Sequence, residues 1–359
     1  MESLLLLATI RVTGSAQAMG EAIGESLCDD IAAMIERRWE AAASYCTLRG
    51  RGSVDDMIAA GWACLDLLHA WDPPGWEEHM ATAGAASVDP GVLYAAANYS
   101  DVRDLVCHDP CEEGCTSMAI PGSAARDGAV LVGQTWDLHP LDVDSVLAVN
   151  RIPDSGPETW SVTIAGAPTL IGMNVHGVWT GTTNIKVRGG RPGIGYMSLL
   201  HRAIRCGDRE EAAAVIQHAP RAAAHTYLLA DAGGAVELEC SATRTRRRDV
   251  IDQPIVRTNH CLDAEILASE AEPPSSSSVA RLNRATELTS SAPLTVEGIR
   301  RIMSDRSDGV DSICRWQDDG EPTATNACVI GVPATRRFEA CRGPADRGLW
   351  VPLSFSGGA

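Results

Sequence analysis

The chain has little phenylalanine, no excess of basic residues and no long apolar run, and each shortfall removes a class of function. Only Phe338 and Phe355 supply phenylalanine among 359 residues, so an aromatic pocket would fall to the nine tryptophans. Thirty Lys and Arg against 47 Asp and Glu leave a formal charge of −17. That charge opposes broad contact with phosphate backbones or anionic lipid, so neither nucleic acid nor membrane is an expected partner. The one dense basic run, Arg244, Arg246, Arg247 and Arg248, reads as a solvated strand end or loop. No stretch approaches the roughly 20 apolar residues of a membrane helix. Leu4 to Ile10, followed by Ala16-Gln17-Ala18, is a poor secretory leader, because Glu2 stands where a basic residue belongs and Arg11 interrupts it. It reads as a first strand, and the expected location is the cytoplasm.

What is present is a globular composition, 45% hydrophobic and 21% charged, long enough for one large domain or two average ones. Twelve cysteines would suggest a disulfide framework in a short secreted chain. In a chain able to bury a core they read instead as small hydrophobic residues.

The first third has helical periodicity. Met19, Ile23, Leu27, Ile31 and Ile35 recur every four positions, and Met57, Ile58, Trp62, Leu65 and Leu68 share a second face that Asp72-Pro73-Pro74-Gly75 terminates. From about residue 115 the texture changes to short apolar segments between turn residues. Thr116 to Ile120, Ala129 to Trp136, Ser145 to Ile152, Thr159 to Ile164, Thr169 to Asn174 and Gly177 to Thr183 read as consecutive antiparallel strands. Helices over 197–206 and 209–217 lead to a hairpin around Gly233-Gly234. Two further helices, Val279 to Thr289 with Ser278 as cap and Val296 to Met303, precede closing strands at 325–332 and 337–341. Strand runs interleaved with paired helices point to layered sheet and helix rather than a doubly wound parallel fold.

Gly114-Cys115-Thr116 lies where the helical texture gives way to the strands. A thiol there can attack the preceding carbonyl, since Gly114 carries no side chain to block the approach. Hydrolysis of the resulting thioester would leave Cys115 with a free α-amine of pKa about 7.7–8.0, well matched to a thiol near 8.5. Gly114-Cys115-Thr116-Ser117, followed by Gly133-Gln134-Thr135-Trp136-Asp137, resembles the family of the fungal acyl-coenzyme A:6-aminopenicillanate acyltransferase, a group of autoproteolytic cysteine hydrolases. The resemblance continues through Gly14-Ser15-Ala16, Gly172-Met173-Asn174, Thr226 to Glu239, Thr258-Asn259-His260, Ser278 to Arg284 and Ser312-Ile313-Cys314, in the family's order along nearly the whole chain.

This resemblance implies a single α+β domain, a four-layer αββα sandwich of the N-terminal-nucleophile hydrolase type. It would be cut between Gly114 and Cys115 into fragments 1–114 and 115–359 that stay associated as a heterodimer. It implies Cys115 as nucleophile, Asp137 orienting its amine and Asn259 as an oxyanion donor, a group whose removal typically costs about 2.7–4 kcal/mol of barrier. Arg281 would lie near the nucleophile, with Arg284 the competing choice. Asn184 and His225 are weaker candidates for oxyanion or substrate contacts. Where related sequences often carry serine or asparagine, this chain has Ala222-Ala223-Ala224-His225. The implied reaction is cleavage or transfer at amide or thioester bonds of small N-acyl compounds, with acyl-coenzyme A a possible donor and no cofactor or metal.

Three other readings stay open. Cys107, His108, Cys111 and Cys115 could hold a metal, although their spacing suits neither zinc pairs nor an iron-sulfur cluster. Cys115 could act uncut with His260 or His176 as base. The chain could also be a binding protein on a catalytically inert scaffold. Gly189 to Gly195 lacks the Gly-Lys-Ser/Thr ending of a phosphate loop and is expected to be a mobile loop near the substrate entrance.

Overall fold

The computed structural model describes residues 5–107, 114–291 and 293–356. The chain opens with β1 (Ala8–Gly14) and the helices α1 (Ala16–Arg49), α2 (Val54–Trp71), α3 (Pro73–Ala85), α4 (Pro90–Ala97) and α5 (Tyr99–Cys107). Strands β2 (Thr116–Ile120), β3 (Leu131–Leu138), β4 (Val146–Pro153), β5 (Thr159–Ile164), β6 (Ile171–Asn174) and β7 (Trp179–Asn184) follow. Then come α6 (Tyr196–Ala203), α7 (Arg209–His218), β8 (His225–Asp231), β9 (Gly234–Cys240), β10 (Thr245–Val250) and β11 (Ile255–Arg257). Helices α8 (Ala264–Leu267), α9 (Ser276–Ser290) and α10 (Val296–Met303) and strands β12 (Ala324–Val332), β13 (Arg337–Arg342) and β14 (Val351–Pro352) complete the described chain.

The strands form two sheets, ordered β1-β4-β5-β6-β7-β8-β9-β10 and β11-β2-β3-β12-β13-β14. Alternation of side chains decides what each face of the second sheet meets. Ala119, Val132, Val329 and Ala340 share a core with Ala148, Val162 and Leu228 of the first sheet. Their neighbours Met118, Ile120, Leu131, Cys328 and Ile330 point the other way and pack under Ile299, Ile302 and Met303 of α10 and Ala285 of α9. The main core also takes in Ile31 of α1, Leu93 of α4 and Met197 of α6, which layer against the eight-stranded sheet. The result is the four-layer αββα sandwich, helix over sheet over sheet over helix.

Three sequence expectations are corrected. The strands from 116 to 184 are not one meander, because β2 and β3 belong to one sheet and β4 to β7 to the other. The larger sheet is also not purely antiparallel: β1 runs parallel to β4, which the long helical connection between them permits and a hairpin would not. Trp62 is not part of the buried face of α2; that face is Met57, Gly61, Cys64, Leu65 and Leu68. A Cβ on Gly61 would lie 2.7 Å from the Gly91 carbonyl oxygen of α4, so the two helices close on the glycine and Trp62 lies over Gly91 instead. The arginine run falls on the edge strand β10, where Arg247 pairs with Glu210 and Arg248 with Glu237, a charged edge that discourages strand addition.

Helix α1 starts at Ser15, whose hydroxyl accepts from the Ala18 N–H, and ends at Gly50 with φ 62°. Gly20 and Gly24, one turn apart, lie against α3: a Cβ on either would come within 2.3 and 2.4 Å of the Glu78 and Thr82 carbonyl oxygens. Gly24→Ala should therefore destabilise the fold by about 1–3 kcal/mol, despite alanine's better helix propensity. Urea unfolding checks this, with a lowered midpoint at unchanged slope as the expected result.

Candidate active site

Cys115 is the residue immediately before β2, 95% buried, and its surroundings come from both sides of the junction. The Gly114 N–H donates to the Asp137 carbonyl at 3.3 Å, the Cys115 Sγ lies 3.9 Å from that same oxygen, and the Thr116 N–H donates to the Thr135 hydroxyl. The dipeptide thus lies alongside the end of β3. From α9, the fully buried Arg281 reaches across: Nη1 donates to the Cys115 carbonyl and to the Thr116 hydroxyl, Nη2 to the Asn259 side-chain oxygen at 2.9 Å, and Nε to the Ser277 hydroxyl.

Because a guanidinium only donates, this contact orients the Asn259 amide, turning its NH₂ group away from Arg281. One of those protons goes to the Asn184 carbonyl at 3.1 Å. The Asn259 N–H is held by the Ser278 hydroxyl, which also meets His260 Nδ1 at 2.8 Å. Ser278 is therefore not the cap of α9. Ser275 performs that role by accepting from the Ser278 N–H, which leaves the Ser278 hydroxyl free to fasten the 258–260 segment.

Asp137 is fully buried; among the described residues no arginine or backbone N–H donates to its carboxylate, and the Thr135 and Thr325 hydroxyls are its hydrogen-bonding neighbours. Burial pushes its pKa from 3.8 up to about 6, against the pull of Arg281, Arg315 and the neighbouring Thr325 and Thr135 hydroxyls. Arg281 is affected in the opposite sense: burial lowers it to about 10, with Asp137 opposing, so it stays charged at neutral pH. A Cβ on Gly114 would stand 2.6 Å from Arg315 Nη1 and 3.1 Å from Asp137 Oδ2. A side chain at position 114 would therefore have to displace the Arg315 guanidinium or the Asp137 carboxylate.

The pocket beside the thiol is small, about 20 Å³, and is lined by Cys115, Trp136, Arg38, Tyr196, Asn184 and His225 among others. Asn184, at the end of β7, is 4% exposed, and its amide nitrogen and oxygen both lack partners. The β7–β8 ladder, which runs through Asn184 opposite His225, places it there, and Gln134 supports the other edge of β7. The pairing of β6 with β7 covers only Gly172 with Thr180 and Met173 with Trp179, and the Gln134 amide takes both backbone groups of Thr182 beyond it. His225, opposite Asn184 on β8, stacks on Tyr196 at 4.5 Å, and its Nε2 lies 2.6 Å from Asp101 Oδ1. The other Asp101 oxygen accepts from the Tyr196 N–H.

The structure thus gathers Gly114, Cys115, Asp137, Asn259 and Arg281 into one contact network, with Asn184 and His225 on the adjoining pocket. Arg284, three residues after Arg281, points elsewhere, to Asp305 at 2.9 Å, Glu287 and Ser307, partners that occupy its guanidinium. Of the bases considered for an uncut enzyme, His176 lies in the turn at the far end of β7 from Asn184, and His260 is tied to Ser278 and held neutral by burial. Of the metal reading, Cys107 Sγ lies 3.9 Å from Cys46, Cys115 faces Asp137, and His108 and Cys111 lie outside the described residues. The glycine-rich loop is packed only at its end, where a Cβ on Gly193 would meet the Pro220 carbonyl at 2.4 Å and the Gly195 N–H donates to the Tyr94 hydroxyl, while Gly189, Arg191 and Pro192 are exposed. Arg315 and Asp101 escaped the sequence reading. Their only local signals were Ser312-Ile313-Cys314 just before one and helical periodicity around the other.

Residues 124–345 match the family described as acyl-coenzyme A:6-aminopenicillanic acid acyl-transferase. The chain belongs to this family. The matched span contains Asp137, Asn184, His225, Asn259 and Arg281 and begins just after Cys115. Membership of an acyl-transferase family makes the chain an enzyme of acyl chemistry. No curated protein sequence matches it significantly. Among solved structures it is similar to an N-acylethanolamine-hydrolyzing acid amidase ortholog from Caenorhabditis elegans (11% identity, 67% of this chain and 100% of that one, TM-score 0.46). It is also similar to a conjugated bile acid hydrolase mutant from Clostridium perfringens (10%, 67% and 97%, 0.45) and to penicillin V acylase from Agrobacterium tumefaciens (12%, 67% and 86%, 0.40). Among the described residues no helix is long and apolar enough to cross a membrane.

Proposed function

We propose that this family member cuts itself between Gly114 and Cys115 and then works as a cysteine amidohydrolase or acyltransferase on small N-acyl compounds. The observation that carries the reading is Asp137: a fully buried carboxylate beside Gly114 whose pKa burial raises in spite of the arginines and hydroxyls around it. Arg281 and Arg315 offset only part of the cost of burying it, so a further cation beside it would stabilise the ionised form. Cleavage supplies one, because it converts the Cys115 amide nitrogen into an ammonium that can donate to a carboxylate at this position.

In the cleavage step the Cys115 thiol adds to the Gly114 carbonyl carbon. The C–N bond breaks as the C–S bond forms, and the departing nitrogen takes the thiol proton. Water then hydrolyses the thioester, leaving a Gly114 carboxylate and restoring the thiol. In turnover the new amine removes the thiol proton, and the thiolate adds to the substrate carbonyl. The amine returns the proton to the leaving nitrogen, and the acyl-thioester passes to water or to an amine acceptor. Arg281 holds the Cys115 backbone and orients Asn259, and Asn259 and Asn184 are the oxyanion donors. Asn184 is the better placed for substrate, since it lines the pocket with both amide atoms free.

Amino-terminal sequencing of the purified protein tests the reading: a second terminus beginning Cys-Thr-Ser-Met supports it. Asn184→Ala should lower kcat/KM toward an N-acyl amino compound about 10²- to 10³-fold while leaving cleavage products detectable. A second reading is favoured by the His225 and Asp101 pair, a histidine on the Cys115 pocket with a carboxylate behind it: an uncut Cys-His hydrolase. It predicts one intact chain with full activity, and loss of that activity in His225→Gln.

A further inference from the structure

The segment that carries Asn259 has no ladder of its own: between the end of β11 at Arg257 and the start of α8 at Ala264, residues 258–263 belong to no helix or strand. One carboxylate closes it. Glu239, on β9 and 2% exposed, accepts from Arg257 Nη2 just before the segment and, at 3.1 Å, from the Leu262 and Asp263 N–H groups at its far end. Strand β9 belongs to the eight-stranded sheet and β11 to the edge of the six-stranded one, so Glu239 fastens a loop of one sheet to the other. A carboxylate suits this place because it only accepts, through both oxygens, where a guanidinium and two backbone N–H groups converge. An amide of the same shape would turn its NH₂ group toward one of those donors.

Inside the closed loop, the Asn259 N–H donates to the Ser278 hydroxyl and Arg281 donates to the Asn259 side-chain oxygen, and both of these contacts come from α9. Glu239 supplies a different tie. Together with the Thr183 hydroxyl, which donates to the Thr258 carbonyl, it binds the loop to the sheet that carries Asn184, and so sets one proposed oxyanion donor against the other. We infer that Glu239 is a positioning residue for the acyl-transfer step: it does not line the Cys115 pocket, and by cinching residues 258–263 it holds the Asn259 amide where the oxyanion forms. The inference rests on the reading of Asn259 as an oxyanion donor. A donor displaced by about 1 Å loses much of its effect in the transition state while substrate binding barely changes, so the signature is a lower kcat at constant KM.

The full chain is mixed with p-nitrophenyl acetate, an activated acyl ester, and the p-nitrophenolate released above the Cys115→Ala background gives kcat and KM. Asn259→Ala should lower kcat about 10²-fold or more. Glu239→Gln should lower it about tenfold or more with KM within about twofold of wild type. On the Asn259→Ala chain the same substitution should change kcat less than about twofold, because its effect passes through that amide. Glu239→Asp keeps the charge for Arg257 but is one methylene too short to hold the Leu262 and Asp263 N–H groups as well. It should melt closer to wild type than Glu239→Gln yet still lose about fivefold or more of kcat, and it carries the comparison if Glu239→Gln does not fold. Wild-type kcat in a folded Glu239 variant, or an equal further loss on the Asn259→Ala chain, would overturn the inference and leave the Asn259 reading standing. Wild-type kcat in Asn259→Ala, or no rate above background in the wild type, would overturn both.

Discussion

Cys115→Ala should purify as one uncut chain, whereas the wild type should separate on a denaturing gel into fragments 1–114 and 115–359. Turnover should fall by on the order of 10⁴-fold or more, because one substitution removes both the nucleophile and the reaction that makes its base. The fold should survive, since alanine fills most of a site that already accommodates a small side chain. Cys115→Ser separates the two roles. A hydroxyl of far higher pKa than a thiol is a poorer nucleophile, so slow cutting with little turnover is expected. Full amidase activity from an uncut Cys115→Ser chain would end the self-cleavage reading. The fragments should hold together under native conditions, since β1 lies in the same sheet as β4 and Asp101 of the first fragment holds His225 of the second.

The second large effect is expected at Asp137, with opposite signs before and after cutting. In the uncut Cys115→Ala background the carboxyl pKa is raised to about 6 from 3.8, so the folded state keeps a proton that the unfolded state releases. Stability from this group is therefore complete below about pH 4 and lost as pH rises through 6, a penalty of roughly 2–4 kcal/mol at pH 7. Adding Asp137→Asn should remove that slope and raise the urea midpoint at pH 7. Other shifted groups, such as Glu237 and His201, remain in both chains and cancel in the difference. In the cleaved enzyme an ammonium beside Asp137 would stabilise the ionised form, so the same substitution should cost activity rather than help stability. Equal pH profiles for the two uncut chains would remove the buried carboxylate as the basis for the mechanism.

Much of this was legible beforehand because it depends on local rules. The periodicity of Met19, Ile23, Leu27 and Ile31 is the buried stripe of α1, and the segments 159–164 and 296–303 are β5 and α10 to the residue. Asp137, Asn259 and Arg281 were nominated from short motifs, and all three meet around Cys115. Other features depend on partners far away in sequence. The outward position of Trp62 follows from α4 closing on Gly61, and the cap of α9 shifts to Ser275 because Ser278 is engaged by residues 258–260. Arg315 is marked locally only by the Ser312-Ile313-Cys314 run before it, since its significance is its approach to Gly114 across some 200 residues of chain.

By itself, then, the sequence determined the change of texture at Gly114-Cys115, the elements on either side and the residue types available for acyl chemistry, because periodicity, turn chemistry and side-chain reactivity are properties of neighbours along the chain. Only the tertiary structure decided which of those groups meet: that Asp137 is buried between Arg281 and Arg315, that Arg281 orients Asn259, that Arg284 faces away, and that His225 leans on Asp101. Burial, unsatisfied hydrogen-bonding capacity and charge pairing depend on distance in space, and that distance is set by how the two sheets and their helices pack.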